Sequence, residues 1–340
     1  MTDLPPPLPA ALDALRSAAV CPVPDLGVLL FEGADSAAFL QGQVSSDVAA
    51  LAQGQSQRSS YNSPKGRMLA NLRLWRDPDS ASSHVYGMLL AADLADALAK
   101  RLAMFVLRAK VAIANATGAH ALLGIAGQQA KQAVAAAFHA APAADEVTTV
   151  ADGTARLLGL PDGRYVLLAM AEAEKTLRGS LSARAVPGDA ELWRWLTIRA
   201  GVPLVTAATS DRFVPQMLNW DALGGVSFQK GCYPGQEIVA RTRYLGRLKE
   251  RLYGFHVAPA AAQPAPGTRL YSPEFGTDPC GTVVSAARAP EGGTALLAVV
   301  QKAAAESGVV SLASADGPTM TPVALPYTVE DDPLRGRASD

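Results

Sequence analysis

The distribution of short apolar runs constrains this chain most. Up to residue 199 they alternate irregularly between strand and helix spacing. Strands are predicted over 26–31, 59–62, 68–75, 85–90, 106–113, 119–125, 155–160 and 165–170. Helices are predicted over 10–19, 92–104, 128–139, 172–181 and 189–199. A short helix carries Phe39 and Leu40, with Asp35 or Ser36 as its cap, and Ser46 or Asp47 can cap another. Neighbouring strands pair in an antiparallel-looking order, which predicts α+β rather than a doubly wound parallel sheet. After Leu252 the runs at 252–257, 281–285, 295–300 and 309–312 alternate with Pro- and Gly-rich turns. That texture predicts a small all-β domain of barrel type.

The expected organisation is a flexible lead and short helix over 1–24, then an α+β region over 25–247 with an inserted subdomain at about 77–150. A C-terminal β-barrel over 248–330 and a loose tail over 331–340 complete it. With 30 basic and 31 acidic residues, bulk attraction to nucleic acid is not indicated. Cys21, Cys232 and Cys280 lie far apart, no CxxC is present, and the four histidines are scattered. The chain therefore lacks a complete zinc or iron–sulfur ligand set, and no stable metal is expected. Three thiols without a disulfide framework fit a reducing compartment. No signal core and no membrane-length apolar run is seen, so a cytoplasmic location away from membranes is expected.

Lys230-Gly231-Cys232-Tyr233-Pro234-Gly235-Gln236-Glu237 sets one thiol between two glycines, beside a lysine, near a predicted helix start. A cation and a helix N-terminus favour thiolate, so Cys232 is expected to be more acidic than the free value of about 8.5. Gly231 and Gly235 permit close backbone approach and left-handed angles, and Pro234 suits a first helical turn. The plain alternative is a small buried hydrophobe beside a turn.

Two other segments are unusually polar: residues 39–47, and the hairpin tip Asn62-Ser63-Pro64-Lys65-Gly66-Arg67. A third segment, over-specified for packing alone, runs from Phe213 to Arg243. Capping and turn chemistry is the plain reading of the first two. Arg199, one turn beyond an apolar helix face, is either a snorkelling side chain or one aimed into a pocket. Arg247, Lys249 and Arg251 alternate as on one strand face, expected to be solvated or to bind a small anion. Without a stacking array they do not indicate nucleic acid. No Walker loop, GxGxxG, GxSxG, HExxH or paired catalytic carboxylates are found.

The cysteine motif resembles the signature of the YgfZ family of folate-binding proteins. Phe39-Leu40-Gln41-Gly42-Gln43, Pro64-Lys65-Gly66-Arg67, Leu107-Arg108-Ala109-Lys110-Val111, Ile198-Arg199-Ala200-Gly201-Val202-Pro203 and Phe213-Val214-Pro215-Gln216-Met217-Leu218-Asn219 follow the same family's order. The resemblance spans roughly residues 25–330. Pro234 departs from it, standing where the family usually has threonine.

The resemblance implies a fold like the glycine cleavage T protein, with folate-binding α+β domains around a central channel plus the C-terminal β-barrel. It implies tetrahydrofolate as cofactor and support of iron–sulfur cluster assembly or repair, with an indirect effect on tRNA thiomethylation. Iron–sulfur assembly proteins or client enzymes are the implied partners. Cys232 and Lys230 are the implied reactive pair, and any metal held by Cys232 would be transient and shared with a partner. Candidate folate contacts are Gln41, Gln43, Asp47, Asn62, Arg67, Arg199, Gln216, Gly231, Tyr233, Gly235, Gln236, Glu237 and Arg241.

T proteins carry an Asp-Asp pair near the second hairpin and a glutamate in Arg-Leu-Glu-Ala-Gly. Here those stretches read Lys65-Gly66-Arg67-Met68-Leu69-Ala70 and Thr197-Ile198-Arg199-Ala200-Gly201. The comparison implies a folate fold without aminomethyltransferase chemistry. That transferase activity and direct tRNA binding are the two alternative functions.

Overall fold

The structure, a computed structural model, describes residues 8–79, 85–244, 248–259 and 263–329. Residues 1–7 of the expected flexible lead, the loose tail, Arg247 and part of the loop after Asp77 lie outside the described residues, while residues 8 and 9 already belong to the first helix. Two compact units emerge, Met1–Ser59 with Leu72–Trp193, and Ser60–Asn71 with Arg194–Asp340.

The first unit contains a six-stranded sheet in the order Val186–Pro187, Ala19–Pro22, His120–Ala126, Tyr165–Met170, Ala155–Gly159, Val147–Val150. Only the first of these pairings is parallel. Alternation along each strand sends Val20, Leu123, Ile125, Leu157, Tyr165 and Leu167 into one core with Ala130, Ala133, Val134, Leu177 and Leu181 from two helices. Gly124 accommodates Trp193, since a Cβ there would lie 2.2 Å from the indole ring.

A five-stranded sheet runs in the order Ser56–Asn62, Met68–Arg76, Val85–Ala91, Leu26–Glu32, Ala112–Asn115. The tip of its first hairpin, residues 60–71, is counted with the second unit. The second unit also holds a six-stranded sheet in the order Ser311–Leu312, Arg269–Tyr271, Pro279–Arg288, Thr294–Gln301, Glu250–Val257, Thr321–Val323. Its pairings are antiparallel, and a bulge lies between Val283 and Ser285. Phe255, Leu270, Val283, Leu296, Ala298 and Val300 form its core. The α+β class is as the sequence implies.

Several local expectations are corrected. Residues 106–111 are a turn at 107–108 flanked by irregular chain, and the strand is confined to Ala112–Asn115. The first helix ends at Arg16, because Ala18 and Ala19 are buried and Ala19–Pro22 joins a sheet. The strand Val147–Val150 was not expected at all. No helix follows Ser46. The amide of Gln41 instead accepts the Val48 N–H at 2.7 Å and donates to Asp47 at 3.0 Å, fixing a bend. Asp35 precedes its helix without a side-chain cap, its carboxylate accepting the Lys110 N–H at 2.7 Å.

Candidate functional site: an exposed thiol beside a glycine contact

The hairpin tip is a tight turn. Ser63 N–H donates to Arg67 O at 2.7 Å and Gly66 N–H to Ser63 O at 2.9 Å, with Gly66 at φ 71°. Ser63 Oγ donates to Asp211 at 2.7 Å, and exposed Arg67 donates to Arg212 O at 3.1 Å. Met68 N–H donates to Phe213 O at 2.7 Å, so the segment from Asp211 runs alongside the hairpin. It continues into the 3-10 turn Pro215–Leu218, closed by Asn219 in the left-handed region.

Gln216 then donates to Val239 O at 2.7 Å, tying this turn to the helix Gln236–Tyr244. Asn219 donates to Leu252 O at 2.9 Å. The Arg251 guanidinium donates to Gln216 O at 3.0 Å and Asp221 at 3.1 Å. Arg251 is buried, so it does not share a solvated face with exposed Lys249, and the strand begins only at Glu250. A buried guanidinium needs an acid, and Asp221 supplies it. Sequence spacing alone could not reveal that partner.

Against this frame stands the cysteine loop. Gly235 has φ 77°, and a Cβ there would lie 2.4 Å from Ser63 O and 2.6 Å from Gly66 Cα. Two motifs far apart in sequence therefore meet glycine to glycine. Gly231 plays no such part: its Cβ position is open and its φ is not left-handed. Pro234 lies in the turn before Gly235, outside the helix that begins at Gln236, so it does not occupy a first helical turn.

Of the three thiols, Cys232 alone is exposed. Its neighbours are anchored. Lys230 is buried with Nζ 5.3 Å from the Tyr233 ring centroid, a cation–π approach. Burial pushes the Tyr233 hydroxyl up to about 12. Gln236 is half-buried, while Glu237 and Arg241 are exposed on the helix. Sequence reading missed Ile238, on which Gly66 packs, and the edge contact of Phe228 with Tyr244 at 6.2 Å between ring centroids.

Asn62 is 1 % exposed, and neither its amide nitrogen nor its oxygen has a hydrogen-bond partner. Gln216 Oε1 is likewise buried and unpartnered. Arg199 is exposed, its guanidinium 5.5 Å from the Trp195 ring centroid. In the first unit Gln41 and Asp47 are engaged in their own loop, and Gln43 Oε1 is buried without a partner. Among the described residues no group of three His, Cys, Asp or Glu side chains could hold a metal ion, and no helix is long and apolar enough to cross a membrane.

The fold is that of the glycine cleavage aminomethyltransferases. The Bartonella henselae enzyme, glycine cleavage system aminomethyltransferase T, superposes with a TM-score of 0.74 over 94 % of this chain and 89 % of that one, at 17 % identity. No family model matches the sequence. Two curated relatives, both called tRNA-modifying protein YgfZ, are closer in sequence. The protein of Yersinia pseudotuberculosis serotype O:1b is 35 % identical over 91 % of this chain and 92 % of its own length. That of Enterobacter sp. strain 638 is 34 % identical over 90 % and 92 %. The chain belongs to the YgfZ family.

Proposed function

We propose that this protein binds tetrahydrofolate and supports iron–sulfur cluster assembly or repair through Cys232, affecting tRNA thiomethylation only indirectly. The observation that carries this reading is the contrast within one loop. Cys232 is exposed while Lys230 and Tyr233 on either side are buried. A thiol presented on an anchored loop can ligate or exchange sulfur with a partner's cluster without being drawn into the fold. In this reading the cluster is a cargo shared with a partner.

The pterin reading rests on Asn62 and Gln216. Asn62, a buried amide with both its donor and its acceptor unused, and Gln216, with only its acceptor unused, suit a flat ring that carries its own amide edge. Asn62 and Gln216 would hold that edge, and the reduced pterin would supply a carrier for one-carbon units. Direct RNA binding is disfavoured, because Arg251 of the basic trio is spent on Asp221.

The test is Cys232→Ala in cells, read by cluster-dependent enzyme activities. Loss of those activities at normal protein levels is expected, and unaltered activities would remove the thiol's role. Asn62→Leu should weaken tetrahydrofolate binding at least tenfold by calorimetry, and unchanged affinity would remove the pterin assignment.

A further inference from the structure

One segment of the first unit turns apolar side chains outward. The helix Ala95–Ala103 buries Ala95, Leu98 and Leu102. The chain then turns through Met104, Phe105, Val106 and Leu107. Met104 is 65 % exposed, Phe105 45 % and Leu107 89 %. Three large apolar side chains are thus exposed within four residues of one turn.

Leu107 also adopts φ 43°, where Cβ crowds the carbonyl of an L-residue. It is the second residue of a turn closed by Ala109 N–H on Val106 O at 2.7 Å, a place that glycine, asparagine or aspartate ordinarily takes. No burial within the chain offsets this strain. The base of the turn is fixed, however. Asp35 receives the Lys110 N–H at 2.7 Å and returns its own N–H to Lys110 O at 3.2 Å. Gly33 lies so near that a Cβ on it would be 2.1 Å from Lys110 O. The result is an anchored apolar knuckle.

The charged residues carried by this segment itself are all basic, Asp35 at its base being engaged with the Lys110 backbone. Residues 100–111 contain Lys100, Arg101, Arg108 and Lys110 and no Asp or Glu. Lys100, Arg108 and Lys110 are exposed.

We propose that residues 104–110 dock a partner protein presenting an apolar depression rimmed by carboxylates. A backbone already fixed at its base needs less ordering on association, and burial of apolar anchors concentrates binding energy. The basic rim selects an acidic surround and repels a basic one. RNA fits less well, since only Phe105 could stack on a base and the most exposed tip is aliphatic. This inference is independent of the thiol and pterin readings.

The experiment places p-benzoylphenylalanine at position 107 of the full-length chain and irradiates living cells. The expected result is a discrete protein adduct whose cross-linked peptide lies on an apolar surface flanked by Asp or Glu. Its yield should fall at least tenfold when Arg108→Glu and Lys110→Glu are combined. It should return when the flanking carboxylates of the identified partner are changed to lysine. An adduct with RNA, an adduct with a second copy of this chain, one indifferent to charge reversal, or no adduct overturns the proposal. A folding control accompanies it: Leu107→Asn should raise the thermal midpoint while costing at least tenfold in affinity for that partner. A lowered midpoint would overturn the argument from strain.

Discussion

Gly235 and Gly66 touch so closely that neither admits a side chain. A Cβ on Gly235 would meet Gly66 Cα at 2.6 Å, and one on Gly66 would meet Ile238 Cβ at 2.6 Å. Both residues have left-handed φ values. Alanine at either site therefore incurs conformational strain together with a clash, against backbone at Gly235 and against the Ile238 side chain at Gly66. Each single change should destabilise the chain by about 1–3 kcal/mol. The double change should cost less than the sum, because either alanine already disrupts the same seat of the loop on the hairpin tip. Urea unfolding measures the loss, and the rate of Cys232 alkylation reports whether the loop has moved. A Gly235→Ala variant with unchanged stability would show that the contact is slack.

The three thiols should separate cleanly by reactivity. Burial pushes Cys21 up to about 12 and Cys280 up to about 11, so at neutral pH both remain protonated as well as covered. Cys232 is exposed. Native protein should consume one equivalent of a chromogenic disulfide reagent rapidly at pH 8, and three after denaturation in urea. Cys232→Ser should abolish the rapid phase. Fast loss of a second thiol without unfolding would contradict the burial of the other two.

The sequence conveyed the strands best where apolar residues run without interruption, as in Leu26–Glu32 and Tyr165–Met170. It misled where spacing was right but backbone angles were not. Val106, Leu107 and Val111 suggest a strand, yet Leu107 turns left-handed and the ladder starts only at Ala112. Alanines hid the strand Ala19–Pro22, since their helix propensity gives no hint that Ala18 and Ala19 are wholly buried. The cysteine loop was visible as a motif. Its seat on the hairpin tip was not, because two glycines carry no side-chain pattern that could reveal their pairing. Arg251 was misplaced for a related reason: its partner Asp221 lies in another segment, and charge spacing on one strand says nothing about it.

Arg251 and Asp221 form a buried pair, with side chains only 10 % and 7 % exposed. Removing one member strands the other in low dielectric. Arg251→Met or Asp221→Leu should each cost about 3–5 kcal/mol. Replacing both together should recover much of that loss, because the stability of a buried pair over an apolar one is small. Chemical denaturation of the two single variants and the double variant completes the cycle. Additive losses would mean that the contacts of Arg251 with Gln216 and Asn219, rather than the ion pair, dominate.

Glu250 supplies a pH dependence of definite sign. Partial burial raises its carboxyl above the ordinary range, and attraction to Arg67 only partly opposes the rise. The folded state therefore holds the proton more tightly than the unfolded state does. The resulting stabilisation is complete below the unfolded value, about 4.3, and is lost as pH rises through the folded value. At neutral pH the ionised group opposes folding, although Gln301 still donates to it at 2.6 Å. Glu250→Gln keeps an acceptor for Gln301 and removes the charge. The variant should melt at a higher temperature than the parent at pH 7–8, and its advantage should shrink to nothing by about pH 4. Thermal melts across that range decide the matter. An advantage that grows toward acid pH would reverse the sign of the argument and place the stabilising interaction with Arg67 ahead of burial.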